Sequence, residues 1–396
     1  MTKIDDKRVP ALRFKGFNDD WAQRKLKDLT DVRDGTHSSP KYVEAGHPFI
    51  TSKNINNGSI DYRDIKYITD EDFDEINKRS KVDIHDILMG MIGTVGNLAL
   101  IDKKPNFAIK NIALIKDIGK IDYLFLYNFL QSNYVSKELI QKLDGGTQKF
   151  ISLNKVRDLN ISVASFQEQK AISKCLMRVN NLLILQQRKL QQLKLLKKAM
   201  LQDLFTDKNV PKLRFNGFDA NWIQCKLGKE TLLTMGQSPS GSTYSDQPST
   251  YILVQGNADL KNGWVKPRIW TTQITKLAKK GDIIITVRAP AGKVGRTNFD
   301  VVLGRGVASI HGNDFIFYLL SKMDMNKYWK KYAAGSTFES INSDDIKNTR
   351  VHVPNLSEQN RIANLFLRLD DLIRFQQNEL KYLQKIKKFL LQNMFI

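Results

Sequence analysis

The strongest constraint on this chain is that it is written twice. Residues 9–27, VPALRFKGFNDDWAQRKLK, align with 210–228, VPKLRFNGFDANWIQCKLG, at 11 identities in 19 positions. Glu168 to Phe205 aligns without a gap with Glu358 to Phe395, at 14 identities in 38 positions. The first pair is offset by 201 residues and the second by 190, so the second intervening segment is about 11 residues shorter. Ends match and middles do not. A duplicated framework carrying two different inserts accounts for this pattern.

The second repeated element predicts a long helix in each copy. Residues 172, 176, 179, 183, 186, 190, 193, 197, 200 and 204 follow a 4-3 heptad, and all but Gln186 and Lys197 are apolar. The matching set from Ile362 to Met394 places Gln376 and Lys387 at the same two interruptions. Sustained heptads of this kind indicate a coiled coil. No Gly or Pro falls between Gln167 and Phe205, and some 40 helical residues make a rod of roughly 60 Å. The simplest partners are the two related seams themselves, antiparallel about a pseudo-twofold axis. The layer register stays open. The polar seam positions either set that register or face other subunits.

The two middles share three beats. A Gly/Ser/Pro-rich loop leads into a short apolar strand, Phe49-Ile50-Thr51-Ser52 in one copy and Tyr251-Ile252-Leu253-Val254 in the other. An Asp-Ile-apolar strand then feeds a Gly-containing loop, at 86–97 and 281–296. A Gly-Gly-Thr or Gly-Ser-Thr loop finally leads to a strand before the long helix. Helices are expected around Tyr123–Gln141 and Asp314–Tyr332. The expected fold is α+β: two globular domains of mixed sheet and helices, joined by two long antiparallel helices in a coiled coil, with a pseudo-twofold internal repeat.

Charge narrows the partners. Lys plus Arg number 62 against 41 acidic residues, a formal net charge of +21, and an excess of that size favours a polyanion, nucleic acid first. Two cysteines and five histidines argue against a zinc cluster or a disulfide framework. Neither a signal peptide nor a membrane-length apolar run is visible, so a cytoplasmic protein without a membrane association is expected. Enzymatic motifs are missing. No methyltransferase base-pocket motif occurs, the Gly90–Gly96 spacing does not suit a nucleotide loop, and 289–295 (APAGKVG) lacks the first Gly and the Ser/Thr of a phosphate loop. The reading is a chain with no catalytic residues and no metal site.

Loop residues of the right chemistry to read DNA are Thr36, His37, Lys53, Asn54, Gln148 and Lys149 in the first middle. In the second they are Gln237, Gln255, Asn257, Arg288, Lys293, Arg296 and Arg305. Asn and Gln pair bidentately with adenine, and Arg with guanine or phosphate.

Taken together, these motifs resemble the specificity subunit of type I restriction–modification systems. The doubled PxLRFxGFxxxW lead-ins, the two unlike openings at 34–55 and 236–260, and the two helical regions carry the likeness, which spans essentially the whole chain. The resemblance implies target-recognition domains at 1–164 and 208–354, with helical regions at 165–207 and 355–396. Each domain would read half of a bipartite, asymmetric site in double-stranded DNA, and the helices would set the spacer. Two modification subunits and two restriction subunits would be the protein partners. S-adenosylmethionine, ATP and magnesium would belong to them, with no cofactor on this chain. The third beat departs between copies, Gln148-Lys149-Phe150 against Thr337-Phe338-Glu339, so residue-level transfer fails there. A stand-alone nuclease or methyltransferase with cryptic motifs, and a coiled-coil protein without nucleic acid, are the alternatives.

The second lead-in begins five residues after Phe205. By pseudo-symmetry the first should pack near Phe395. Val9, Leu12, Phe14, Phe17 and Trp21 are expected as its buried side, with Val210, Leu213, Phe215, Phe218 and Trp222 in the other copy.

Overall fold

The computed structural model describes residues 9–56, 58–332 and 340–396. Thr337, Phe338 and Glu339 lie outside the described residues. The chain divides into two compact units, Met1–Gln187 with Asn378–Ile396, and Arg188–Gln377. The division between the two units falls within each long helix.

The helices span Phe166–Leu204 and Leu356–Asn393. Every heptad position from 172 to 204, and from 362 to 394, is buried or half-buried. The seam is satisfied within each unit. In the first, Ile172 and Leu176 at the start of one helix share a core with Leu390, Leu391, Met394 and Phe395 at the end of the other. In the second, Leu201, Leu204 and Phe205 meet Ile362, Ala363, Phe366 and Leu369. Start meets end in both, so the helix segments run antiparallel in each unit.

The first unit holds an antiparallel sheet in the order Asp31–Asp34, Ile112–Lys116, Ile87–Gly90, Leu98–Leu100. A second sheet joins Lys66–Ile68, His47–Thr51 and Ala108–Lys110, the last pair parallel. Ile87–Gly90 is buried throughout, as its unbroken apolar run requires of a central strand. The second unit enlarges the same plan. Ile283–Thr286 is central in a six-stranded sheet, and Tyr251–Val254 in a five-stranded one. The expected helix at 123–141 is two, Tyr123–Leu130 and Asn133–Lys142, because Ser132 breaks it by capping Val135 N–H. The helix from Asp314 ends at Met325 and continues, past Lys327 in the left-handed region, as a 3₁₀ turn at Tyr328–Tyr332.

Each lead-in docks through the same polar joint. Arg13 Nε and Nη2 donate to the two carboxylate oxygens of Glu168 at 2.7 and 2.9 Å, and Trp21 Nε1 adds a bond at 3.2 Å. In the second unit Arg214 donates to Glu358 at 2.8 Å twice, and Trp222 Nε1 at 3.3 Å. Both glutamates are almost fully buried. The backbone joins too: Leu12 N–H donates to Asn393 C=O at 2.8 Å, and Leu213 N–H to Asp203 C=O at 2.9 Å. Below lies an aromatic node, with Trp21, Phe125 and Phe395 ring centroids 5.5 to 6.4 Å apart. Trp222, Phe315 and Phe205 repeat it. So the first lead-in does pack at the end of the second helix. Its buried side differs from expectation: Leu12 and Phe14 are each 37% exposed, Val210 and Leu213 are exposed, and Val9, Phe17, Phe215 and Phe218 are half-buried. Charge and indole, rather than an apolar stripe, make the attachment. Immediately beyond it, Ala22–Lys25 pairs with Asn160–Val163, and Ile223–Lys226 with Arg350–Val353.

Removing the arginine of this joint leaves a buried, uncompensated carboxylate, which costs about 3–5 kcal/mol. We therefore expect Arg13→Ala and Arg214→Ala each to lower unfolding stability by that amount in denaturant titration. Leu12→Ala, at an exposed site, should cost less than about 1 kcal/mol. Equal losses for Arg13→Ala and Leu12→Ala would rule the joint out as the anchor.

Candidate nucleic-acid interface

In each unit, loops from separate strands are stitched into one cluster. In the first, Gly35 lies so close to Ile109 C=O that a Cβ would sit 2.4 Å from that oxygen. Thr36 N–H donates to Ile109 C=O, and Asn111 N–H to Thr36 C=O, at 3.1 and 3.2 Å. Ser52 Oγ donates to Asn111 C=O at 2.6 Å and accepts from Met91 N–H at 3.1 Å. Gly93 N–H donates to Lys149 C=O at 3.0 Å. The loops at 35–38, 52–54, 91–94, 109–111 and 148–150 thus form a connected surface at strand ends.

That surface has an ordered polar centre. Asp34 is buried and pairs with Arg79, and its Oδ2 contacts His37 Nε2 at 2.9 Å. His37 Nδ1 contacts Asn111 Oδ1 at 2.9 Å. Burial alone raises the Asp34 carboxyl, but the His37 and Arg79 interactions outweigh it and hold the pKa below the ordinary value. The exposed imidazole is therefore fixed at both nitrogens, a rigid edge rather than a free rotor. Arg79 and Asn111 were not foreseen. Arg79 lies in the helix Asp70–Ser80, far in sequence from the loop it supports. Asn111 has φ of 54°, and a Lys-Asn pair ending a strand is the one signal that could have flagged it.

The second unit builds a matching cluster. Gly236 meets Gly304 C=O, with 2.1 Å left for a Cβ, and Gly306 meets Gln255 C=O equally closely. Gln237 N–H donates to Leu303 C=O at 2.9 Å, and Arg305 N–H to Ser238 Oγ at 3.0 Å. Val287 N–H reaches Gly306 C=O at 2.9 Å, bringing exposed Arg288 to the same edge. Gln237, Asn257, Arg288 and Arg305 are exposed there, and Gln255 is half-buried.

Several residues expected as readers do other work. Asn54 is buried: Oδ1 accepts from Thr51 N–H and Oγ1 at 3.0 and 2.8 Å, and Nδ2 donates to Asp61 C=O. It holds a turn. Arg296 pairs with Asp314 and lies 4.4 Å from the Phe317 ring centroid, packed onto a helix. Lys293 Nζ bonds Asp324 at 2.9 Å on that same helix. Lys53 is exposed but leans on Asp64 at 3.2 Å. Thr36, His37, Gln148 and Lys149 remain on the loop surface, with Lys149 Nζ resting on Gly145 C=O at 2.8 Å.

Among the described residues, no group of His, Cys, Asp and Glu is arranged to hold a metal, and no helix is long and apolar enough to cross a membrane. The type I restriction modification DNA specificity domain family matches residues 18–195 and 234–385. The putative type I restriction enzyme MjaX specificity subunit from Methanocaldococcus jannaschii is 30% identical across 93% of this chain and 91% of its own length. The chain belongs to the type I specificity-subunit family. Solved structures share the fold. The S subunit from M. genitalium aligns over 98% of this chain and 99% of its own, with TM-score 0.62 and 15% identity. A chain from a structure on type I assembly and conformational transition aligns over 96% and 98%, with TM-score 0.61 and 21% identity. The two loop clusters therefore sit on a DNA-specificity subunit of a restriction–modification system.

On this geometry, Arg305→Ala should weaken binding of the cognate half-site by about 1–3 kcal/mol while leaving thermal stability nearly unchanged. Asn54→Ala should do the reverse, lowering the melting temperature with no change in base preference. Competition binding against substituted duplexes, run beside calorimetry, separates the two.

Proposed function

We propose that each unit's loop cluster reads one half of a bipartite, asymmetric double-stranded DNA site, and that the helices fix the spacer between the halves. The observation that carries this reading is the pair of unlike loop clusters on one repeated framework. His37, Gln148 and Lys149 face solvent in the first, and Gln237, Arg288 and Arg305 in the second. Related frames with different loops read different sequences, so the target is asymmetric. Contacts to phosphate from the +21 chain would position it, and base-edge contacts would specify.

The chain itself is non-catalytic in this reading, and acts in the cytoplasm. The helices support it as a scaffold. Leu185, Leu195, Phe375, Tyr382 and Phe389 are each more than half exposed on them, a density of apolar surface that marks protein contacts. Two modification and two restriction subunits would occupy it. S-adenosylmethionine, ATP and magnesium would enter with those subunits.

The test is to express the chain with modification and restriction subunits and map methylated adenines. Exchanging residues 22–163 for another recognition insert should change one half of the methylated site and keep the other. Deleting four residues from each helix, about one turn, should alter the spacer or abolish methylation. Methyl transfer by this chain without a modification subunit would overturn the non-catalytic assignment. Binding should also weaken steeply with salt, at a log–log slope of about −0.9 per phosphate contacted.

A further inference from the structure

The two seam lysines related by the repeat meet different fates. In the second unit Lys197 pairs with Asp370, whose other carboxylate oxygen accepts from Tyr318 hydroxyl at 2.8 Å. Lys197 Nζ also lies 5.3 Å from the Tyr318 ring centroid. The 190-residue offset carries Lys197 onto Lys387 and Asp370 onto Asn180. An amide cannot neutralise an ammonium. In the first unit Lys387 Nζ donates to Gln131 Oε1 at 3.3 Å, and among the described residues no carboxylate lies in ion-pair range of it. A half-buried lysine left in this way is costly. Burial pulls its pKa below the ordinary lysine value, as expected for a cation lacking a counter-ion.

This lysine is not sealed in. It lines an open cleft of about 600 Å³, bounded by the helices Tyr123–Leu130 and Asn133–Lys142, the loop at 95–98, and the last turns of the second long helix. Leu130, Leu139 and Leu391 supply apolar wall. Asn97, Gln384 and Lys388 supply donors, and among the described residues no Asp or Glu lines it. Tyr127 stands at its edge, its hydroxyl against Gly58, where a Cβ would come within 2.6 Å. Burial pushes that phenol up to about 12, so it stays a neutral donor. Volume, apolar walls and a few converging polar groups are those of a small-molecule site. Two adjacent lysines without an acid match a group of charge near −2.

We propose that this cleft binds a small phosphate-bearing molecule of mononucleotide size, with Lys387 as the principal counter-ion and Lys388 as the second. The ligand supplies the anion that Asp370 supplies in the other unit. None of its lining residues is among the candidate DNA readers, so its loss leaves base preference intact.

The test uses the full chain with AMP and inorganic phosphate as probes. Binding is followed by calorimetry and by protection of Lys387 from amine acylation. Both probes should bind and protect Lys387, AMP more tightly than phosphate because the nucleoside takes the apolar wall. Lys387→Met should weaken binding at least about tenfold, since hydrogen bonds to charged groups are the strong ones. Asn180→Asp restores the missing carboxylate on the chain. It should weaken probe binding similarly while keeping or raising the melting temperature, which separates lost binding from lost folding. Lys197→Met should leave binding unchanged. The proposal fails if neither probe binds the unaltered chain, if both first-unit variants bind as it does, or if duplex DNA alone protects Lys387.

Discussion

The rest of this molecule depends on a buried carboxylate. Glu168 and Glu358 lie in the first turns of the two long helices, where unpaired N–H groups and the helix dipole favour negative charge. Ser165 Oγ and Asn355 Oδ1 accept from the glutamates' own backbone N–H groups, so each helix start is capped. A buried glutamate remains expensive until a fixed partner arrives. The arginine arrives from the lead-in, presenting two nitrogens to two oxygens, and the tryptophan adds a third donor. The strand pair that begins each recognition domain follows directly. Orientation of a reader thus starts from one ion pair at the root of a helix. Geometry matters more than apolar area here, because a bidentate pair fixes direction as well as distance.

Much of this frame was legible in the residues. Repetition located the lead-ins and the helices, and the heptad identified the seam that is buried or half-buried throughout. Strand positions followed from apolar runs such as Ile283–Thr286. What escaped was direction. Asn54 and Arg296 have the chemistry of DNA readers, yet Asn54 closes a turn onto Thr51, and Arg296 lies against Phe317 and Asp314. Residue type says what a side chain can bond, and only the fold says which way it faces. The lead-in shows the opposite error. Its Leu12 and Phe14 suggested an apolar dock, whereas Arg13, between them in sequence, does the docking. Arg79 was invisible for a third reason: its link to Asp34 spans 45 residues, and no local pattern encodes it.

The two units also show how a repeated frame tolerates unlike inserts. Strand pairs Ala22–Lys25 with Asn160–Val163, and Ile223–Lys226 with Arg350–Val353, keep the same register about the joint. Above them one unit carries a four-stranded sheet and the other six strands. The loops converge by the same device, glycines whose missing Cβ lets one strand end touch another: Gly35 on Ile109, Gly236 on Gly304. Such contacts are backbone-made, so the exposed side chains beside them change without loosening the cluster. His37 fixed by Asp34 and Asn111, and Arg305 beside Gln237, are different answers built on one scaffold. The two sets of exposed side chains thus stand on loops brought together at Gly35 and Gly236, and the framework beneath them holds because its own demands fall on a few buried polar groups.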